Sequence, residues 1–268
     1  MCGRYASSRS PEDLAEEFEV LDPRLERPLP PSWNVAPTDE VYAVLERVPR
    51  ERRDERGAGE EEPVRQLRTV RWGLVPSWAK DASIGSRMIN ARMETVADKP
   101  AFRKAFAARR CIVPADGYFE WYDTQQRTAK GKPRKQPFFI TSGDGSSLAM
   151  AGLYEIWHDT TKPEDAEDRF RWTCTILTTE ATDDLGRIHD RMPLLVEPEL
   201  RGAWLDPHTP AAELPDLLGR LRPAQQTGLT AYPVSTAVGN VANNGPELVE
   251  PLPLAEVEHE DDAQGRLL

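Results

Sequence analysis

The sequence predicts a single α+β domain with mainly antiparallel β-strands, and three observations support this fold class. Short runs of alternating apolar and polar residues recur along the chain, which is the period of a half-buried strand. The 24 prolines and 17 glycines among 268 residues favour short elements joined by turns. The chain shows no internal repeat and no long inter-domain linker. We therefore expect one domain over residues 1–250 and an acidic, disordered tail over residues 251–268.

Helix signals are local and few. A helix is predicted to begin after Ser10, because a hydroxyl cap is followed by Pro11 and by acidic residues in the first turn, and to end near Val20. Phe102 and Phe106, four residues apart among basic residues, indicate a short amphipathic helix. Later helical stretches are expected near 198–205 and 211–221.

Strand signals cover most of the remaining chain. Residues 49–62 are charged and aperiodic, and this segment is predicted to be a flexible excursion between two strands of a hairpin. The acidic segment 164–168 resembles a second insertion. The predicted strands are 41–48, 64–72, 111–113, 118–122, 137–141, 148–157 and 171–179.

The net charge of −11 argues against simple nucleic-acid binding, since phosphate contacts need lysine and arginine. The charge is, however, unevenly distributed. Residues 247–268 contain seven acidic residues and a single basic one, whereas residues 127–135 contain five basic residues and no acidic one. The sequence is therefore compatible with a local basic groove.

Composition also bears on cofactors and on the compartment. No segment approaches the roughly 20 apolar residues of a membrane span, and the first residues form no apolar signal region, so we expect a soluble cytoplasmic protein. None of the three cysteines forms a Cys-x-x-Cys pair, and the four histidines are scattered, so we predict no metal and no cofactor. Cys111 and Cys174 lie in apolar strand-like runs and are expected to be buried.

Cys2, directly behind Met1, is the most informative residue. Removal of Met1 would leave a thiol and a free α-amine on adjacent carbons. An aldehyde condenses with such an amine to an imine, and the thiol then closes a five-membered thiazolidine. With reference pKa values near ~8 for the amine and ~8.5 for the thiol, both groups are partly reactive at neutral pH. The alternative is that Cys2 lies on a frayed terminus.

Three further segments combine a chemically useful side chain with rigid neighbours. Asn90 and Arg92 are two apart and so share one face of an extended segment. Glu120 lies between two aromatic residues, and burial there is expected to raise the pKa of its carboxyl. His189 is flanked by a carboxylate and a guanidinium. Each segment taken alone also fits an ordinary role in a turn, on a strand or at the surface.

Together with Cys2, these segments resemble the SRAP family (SOS response-associated peptidase, abasic-site processing). The resemblance extends from residue 2 to about residue 250 and follows the family's order. It implies a single domain with a curved, barrel-like, mainly antiparallel sheet flanked by short helices. The motifs that carry it are Cys-Gly-Arg-Tyr (2–5), Trp-Asn-Val-Ala-Pro (33–37), Arg-Trp-Gly-Leu-Val-Pro-Ser-Trp (71–78), Ile-Asn-Ala-Arg (89–92), Asp-Gly-Tyr-Phe-Glu-Trp (116–121), His-Asp-Arg-Met-Pro (189–193) and Val-Gly-Asn-Val (238–241).

The resemblance also implies a function: capture of abasic sites in single-stranded DNA as a covalent thiazolidine adduct on Cys2 after Met1 is removed. It assigns Asn90 and Glu120 as polar groups of the active site and His189 as the acid–base residue. We expect lyase-type Schiff-base chemistry, no cofactor, and a monomer that is associated with the nucleoid when it is bound to DNA.

DNA contacts are expected from arginines that bind phosphates and from tryptophans that stack on unpaired bases. Core packing is the alternative for these tryptophans, and it is favoured for at least half of those in the motifs. The candidate DNA-binding residues are Arg4, Asn34, Trp72, Trp78, Arg92 and Arg191.

Two other functions remain open on the sequence. The first is a peptidase or amidohydrolase in which Cys2 is an N-terminal nucleophile and its own amine is the base. The second is a non-catalytic module that binds nucleic acid or another partner, with Cys2 incidental. Hydrolysis of a peptide or amide without DNA would indicate the former, and DNA affinity that ignores the abasic site would indicate the latter.

Overall fold

The computed structural model describes residues 2–48, 62–127, 131–181, 185–221 and 228–253. Nearly all of the excursion at 49–62 and of the tail at 251–268 lies outside these ranges. Within the described residues, none of the helices combines the length and the apolarity required to cross a lipid bilayer.

The helices are short, as the proline and glycine content predicts. Ser10 caps the first helix, because its hydroxyl accepts a hydrogen bond from the Asp13 N–H at 3.1 Å. This helix ends at Glu17, before the predicted end at Val20, because Glu19 has a φ of 54° that no α-helix continues. The α-helices are α1 (Pro11–Glu17), α2 (Arg103–Ala108), α3 (Leu185–Ile188), α4 (Arg201–Leu205) and α5 (Leu214–Arg220). Short 3-10 segments occur at Ala82–Arg87, Met93–Thr95, Glu167–Arg169, Pro198–Leu200, Thr236–Gly239 and Pro246–Val249.

Each predicted strand is present, and several short strands that the sequence did not reveal join them. The strands are β1 (Tyr5–Ser7), β2 (Asp22–Arg24), β3 (Ser32–Val35), β4 (Glu40–Arg47), β5 (Val64–Trp72), β6 (Asn90–Arg92), β7 (Arg110–Ala115), β8 (Gly117–Arg127), β9 (Pro133–Ser142), β10 (Leu148–His158), β11 (Phe170–Glu180), β12 (Arg191–Pro193) and β13 (Leu229–Pro233).

Five strands close into a barrel in the order β4–β5–β11–β10–β7, with β7 paired back to β4. All of these pairs are antiparallel except β5 with β11, where Thr173 is level with Arg71 and Cys174 with Trp72. Strand β2 extends the sheet beside β5, and β6 and β12 pair with β11. A second antiparallel sheet has the order β13–β9–β8–β1–β3. The predicted α+β fold with a barrel-like sheet is therefore confirmed.

The barrel interior is filled by side chains that alternate along the strands. Cys111 and Cys174 are fully buried there, as predicted. Gly152 marks a close approach, since a Cβ at this position would lie 2.9 Å from the Cys111 sulfur and 3.0 Å from the Thr175 carbonyl oxygen. The helices pack on the outside of the barrel, where a second buried cluster includes Phe106 and residues of α4 and α5.

Arg110, at the start of β7, joins the barrel to two helices and is only 1% exposed. Its guanidinium donates hydrogen bonds to the carbonyl oxygens of Trp204 at 2.8 Å, Phe106 at 2.8 Å and Ala107 at 2.9 Å, and also to that of Asp206. Carbonyls at the C-terminal end of a helix have no partner within the helix, and Arg110 supplies one.

We expect Arg110→Met to lower the free energy of unfolding by about 3 kcal/mol or more, because several buried carbonyls lose their donor together. Urea unfolding followed by circular dichroism measures this change. Arg103→Met, at an exposed position of α2, is the control and should change stability by no more than about 0.5 kcal/mol. Equal unfolding midpoints for the two variants would contradict the assignment.

Candidate active site

Cys2 is fully buried, with 0% exposure, in the same hydrophobic cluster as Cys111 and Cys174. The chain leads from it into β1, where Tyr5 pairs with Tyr118 of β8. The Asn90 side chain donates a hydrogen bond from Nδ2 to the Cys2 carbonyl oxygen at 2.7 Å. Residue 2 is thus held by a side chain 88 positions away and lies three residues before the paired strand β1, so the alternative of a frayed terminus is wrong.

Asn90 is positioned by β6, where it pairs with Ile176 of β11. While its Nδ2 holds Cys2, its Oδ1 is buried and has no hydrogen-bond partner among the described residues. A buried acceptor left without a donor costs about 1–3 kcal/mol. Asn90 is therefore well suited to accept a hydrogen bond from an amine or from a sugar hydroxyl in the site.

Glu120 lies on β8, close enough to Cys2 for its charge to act on the thiol. The carboxyl belongs to a residue that is only 3% exposed. Burial raises its pKa to about 7, the charge of Asp190 acts in the same direction, and the amino terminus and Lys135 oppose the shift. At neutral pH the carboxyl is therefore partly protonated, in agreement with the sequence-based prediction.

The thiol of Cys2 differs from its sequence-based expectation. Burial raises its pKa far above the ordinary range, and the negative charge of Glu120 adds to this shift, while the amino terminus and the Arg4 N–H oppose it. In this state the sulfur is a thiol and not a partial thiolate. A nearby base must therefore take the thiol proton before the sulfur can attack.

His189 follows α3, which packs against β8 and so brings the imidazole to the Glu120 side of the site. The Arg191 N–H donates to Nδ1 at 3.0 Å, and the Asp190 carboxylate lies 2.8 Å from the same nitrogen. Burial and the amino terminus lower the pKa of His189, while Asp190 raises it. Nδ1 can accept from the Arg191 N–H when the ring is neutral with its proton on Nε2, and it pairs with the Asp190 carboxylate when Nδ1 itself is protonated.

The structure thus brings Cys2, Asn90 and Glu120 together. His189 lines the same cleft as Trp121, the neighbour of Glu120, and the charge of Asp190 beside it acts on Glu120. The four catalytic candidates come from the segment before β1, from β6, from β8 and from the segment after α3, so no local sequence window contains the site. Within the described ranges, no group of three or more His, Cys, Asp or Glu side chains has the arrangement of a metal site.

A cleft of about 550 Å³ opens beside His189. Lys135 lies in this cleft and belongs to the basic run 127–135 noted in the sequence. Arg187 also lines the cleft, and the sequence analysis did not identify it as a candidate, although it lies two residues before His189. These two cations make the cleft attractive to phosphate. Its lining consists of Trp121, Tyr122, Asp123, Gln125, Lys135, Arg187, Ile188 and His189.

The two tryptophans of the 71–78 motif differ in exposure. Trp72 is fully buried, its indole N–H donates to the Ile89 carbonyl oxygen at 2.9 Å, and its ring meets Tyr5 edge-on at 5.2 Å. The prediction that Trp72 stacks on DNA is wrong for this structure, because neither ring face is open. Trp78 is 55% exposed and keeps an open surface.

Asn34 is also buried, at 4% exposure. Its Nδ2 donates to the carbonyl oxygens of Asn240 at 3.0 Å and Asn243 at 2.8 Å, and its Oδ1 accepts from Arg4 at 2.8 Å. Asn34 therefore ties the Val-Gly-Asn-Val motif to the N-terminal segment, and the prediction of a direct DNA contact is wrong for this residue. Arg4 is half-buried, and its Nη1 also donates to the Val238 carbonyl oxygen at 2.9 Å.

Of the two remaining arginines, Arg92 is exposed on β6, as a phosphate ligand requires. The side chain of Arg191 is only 10% exposed and makes a two-pronged ion pair with Glu94, at 2.8 and 3.0 Å. It also donates to the Thr178 carbonyl oxygen at 2.7 Å. In this structure Arg191 braces the turn after Arg92 and does not extend toward a phosphate, which corrects the sequence-based assignment.

Comparisons with solved structures show the same fold. A protein from Bacteroides thetaiotaomicron superposes with a TM-score of 0.71 at 23% identity, covering 94% of this chain and all of that one. A phage-related protein from Bordetella bronchiseptica superposes with a TM-score of 0.59 at 28% identity, covering 88% of this chain and 95% of that one.

Sequence comparisons extend over nearly the whole chain. Abasic site processing protein YoqW of Bacillus subtilis is 36% identical over 251 residues, covering 93% of this chain and 99% of its own. YedK of Escherichia coli, with the same description, is 34% identical over 257 residues, covering 94% of this chain and 100% of its own. The sequence model of the SOS response associated peptidase (SRAP) family matches residues 1–241. The chain therefore belongs to the SRAP family.

Proposed function

We propose that this protein captures abasic sites in single-stranded DNA by forming a thiazolidine between the sugar aldehyde and Cys2, once Met1 has been removed. The names of its relatives support abasic-site processing. The observation that carries the proposal is the hydrogen bond from Asn90 to the Cys2 carbonyl, which fixes residue 2 beside Glu120. An aminothiol held in this way is ready for an aldehyde.

The reaction begins with the abasic sugar, which is mostly a closed hemiacetal. A neutral His189 with its proton on Nε2 is suited to donate to the ring oxygen and release the aldehyde. The Cys2 amine then attacks the aldehyde carbon, and the C–N bond forms. The resulting carbinolamine loses its hydroxyl group as water to give the imine.

Glu120 is suited to both remaining proton transfers. Its protonated carboxyl, favoured by the raised pKa, gives a proton to the departing hydroxyl group. Because water leaves with the proton of Glu120, the product is the protonated imine. The carboxylate left behind then takes the proton of the buried thiol, and the sulfur adds to the imine carbon while the nitrogen keeps its proton. The overall change is aldehyde plus aminothiol to thiazolidine plus one water.

DNA contacts are proposed on the cleft beside His189 and on the exposed residues near it. Lys135 and Arg187 supply positive charge in the cleft, and Arg92 supplies it on β6. Trp78 offers a ring face for an unpaired base. The negative overall charge is thus compatible with DNA binding, because Lys135 and Arg187 supply local positive charge in a cleft whose wall holds one carboxylate, Asp123.

We expect Trp78→Ala to weaken binding of undamaged single-stranded DNA by about 1–3 kcal/mol, the usual contribution of one stacked base. Fluorescence anisotropy with a labelled oligonucleotide measures it. Phe170→Ala removes another exposed aromatic side chain, 53% exposed, and should leave the affinity unchanged. Equal losses in both variants would show that Trp78 has no special role.

Intact mass spectrometry tests the function directly. The protein is incubated with a single-stranded oligonucleotide that carries one abasic site, and with the same strand carrying an ordinary base. The expected product, formed with the damaged strand alone, has the mass of protein minus methionine plus DNA minus one water. An adduct formed while Met1 is still attached would refute the thiazolidine mechanism.

A peptidase activity is the second candidate, favoured by the family's description. Cys2 would attack a carbonyl carbon, and the simplest substrate is the protein's own Met1–Cys2 peptide bond, whose cleavage removes the methionine. Hydrolysis of peptides in the absence of DNA, lost in Cys2→Ala, would support this activity.

A further inference from the structure

The end of the barrel away from Cys2 has a cluster of cations that the proposed reaction does not use. This mouth lies where β4 ends and β5 and β11 begin. The guanidinium carbons of Arg47 and Arg68 lie 5.2 and 4.3 Å from the ring centre of Trp172. Trp172 in turn stacks on Tyr154, with ring centres 5.7 Å apart and planes inclined by 17°. One indole thus draws two like charges together.

Neither arginine has a carboxylate partner among the residues that the structure describes. In the described part of the chain, no carboxylate lies within 4.0 Å of the guanidinium of Arg47 or of Arg68. Arg68 donates from Nε to the Gln66 side chain at 2.9 Å, and its terminal nitrogens have no protein acceptor there. Burial lowers the pKa of Arg68, and the charges of Arg47 and Arg24 lower it further, while Tyr154 and Asp22 act in the opposite direction. Two cations near one ring repel each other.

Neighbouring arginines at the same end are paired in the usual way. Arg65 lies 2.9 Å from Glu46, and Arg109 lies 2.8 Å from Glu155. The lack of a carboxylate at Arg47 and Arg68 is therefore local. It is the arrangement expected where the counter-charge comes from a ligand.

A cavity of about 360 Å³ adjoins this cluster, at the lower end of the range for small-molecule sites. Arg47, Tyr154 and His208 contribute donors to its wall that can bind a phosphate oxygen. Arg109 and Glu46 also line it, and they are ion-paired with Glu155 and Arg65, respectively. The remaining wall residues are Val48, Ala108, Ile156 and Pro207. Arg68 is not a wall residue and adjoins the cavity through Trp172, whose ring it shares with Arg47. The cavity is large enough for a phosphate or pyrophosphate group with part of an attached nucleoside.

We propose that this mouth of the barrel is a binding site for a phosphate-bearing anion, held by Arg47 and Arg68. The site is separate from the active site: Trp172 lies four residues along β11 from Ile176, which pairs with Asn90, or about 13 Å at ~3.3 Å per residue. It does not depend on the proposed chemistry of Cys2. The phosphate belongs either to a free nucleotide or to the backbone of a second stretch of DNA.

Isothermal titration calorimetry with inorganic pyrophosphate and with adenosine 5′-monophosphate tests the site. We expect saturable binding to the wild type and roughly tenfold weaker binding to Arg47→Met and Arg68→Met, since each loses charge-assisted hydrogen bonds. Arg27→Met, at a side chain 81% exposed and ion-paired with Glu40, is the charge-matched control and should bind within about twofold of wild type. Arg68→Lys, which keeps the charge, should retain part of the affinity.

A thermal unfolding scan establishes that each variant is folded before it is titrated. If Arg68→Met does not fold, Arg47→Met, at a half-buried position, still tests the site. Competition with an undamaged single-stranded oligonucleotide separates the two sources. Displacement of pyrophosphate by the oligonucleotide assigns the site to DNA backbone, and its absence assigns the site to a free nucleotide. The proposal is overturned if neither anion binds saturably, or if Arg47→Met and Arg68→Met bind both as tightly as wild type.

Discussion

Replacing Cys2 by alanine is expected to abolish the stable DNA adduct. After methionine removal the variant still has an N-terminal amine, so it still forms an imine with the abasic aldehyde. Without the sulfur the imine cannot close to a thiazolidine. An imine at an abasic site is an electron sink for β-elimination, and we therefore expect the variant to cut the strand that the wild type protects.

Denaturing gels with and without borohydride measure both outcomes. The wild type should give a heat-stable adduct in either lane, whereas Cys2→Ala should give an adduct only with borohydride and nicked DNA without it. The fold should be retained, because Asn90 holds the main-chain carbonyl of residue 2, which any side chain leaves in place. Cys111→Ala, which removes another fully buried sulfur, is the control and should form the adduct as wild type does. A borohydride-independent adduct with Cys2→Ala would disprove the role of the thiol.

The strands were predictable because burial alternates along them. In β4 and β5, residues facing the barrel alternate with residues facing the helices, and this period of two is visible in one sequence. The closure of the barrel was not visible in that pattern. It depends on the parallel pairing of β5 with β11, which lie about 100 residues apart, and no local signal specifies such a partner. Only the family resemblance implied it.

Exposure of individual site residues was the least predictable feature. Trp72 and Trp78 belong to one motif, yet the first ends a barrel strand and the second lies in the loop beyond it, so one is buried and the other is open. The sequence around Arg191 does not show that Glu94, 97 residues earlier, occupies its guanidinium. Residue type indicated the chemistry, whereas tertiary contacts decided which side chains are available for it.

Glu120 is the side chain whose chemistry and burial were both predicted from the sequence. Its replacement by glutamine should reduce adduct formation more than any other substitution except Cys2→Ala. We expect Glu120→Gln to slow adduct formation by about a hundredfold, the usual contribution of a positioned acid–base group. In the wild type the rate should rise with pH as the Cys2 amine loses its proton, near ~8, and fall as the carboxyl with a pKa of about 7 ionises. The variant should lose the falling limb and keep the rising one.

Single-turnover adduct formation measured between pH 5 and 9 gives both profiles. Glu16→Gln, at an exposed carboxylate of α1, is the control and should reproduce the wild-type curve. A Glu120→Gln profile parallel to that of the wild type would exclude the carboxyl from the proton transfers, whatever its effect on the absolute rate.

The same ionisation links stability to pH. Because the folded-state pKa of Glu120 is raised from 4.5 to about 7, the protonated carboxyl favours the folded state. Its contribution is fully present below pH 4.5 and is lost as the pH rises through 7. A shift of this size corresponds to about 3 kcal/mol. The free energy of unfolding of the wild type, measured by urea titration relative to Glu120→Gln, should therefore fall as the pH rises from 4.5 through 7. The carboxyl that is useful as an acid in the active site thus destabilises the fold when it ionises.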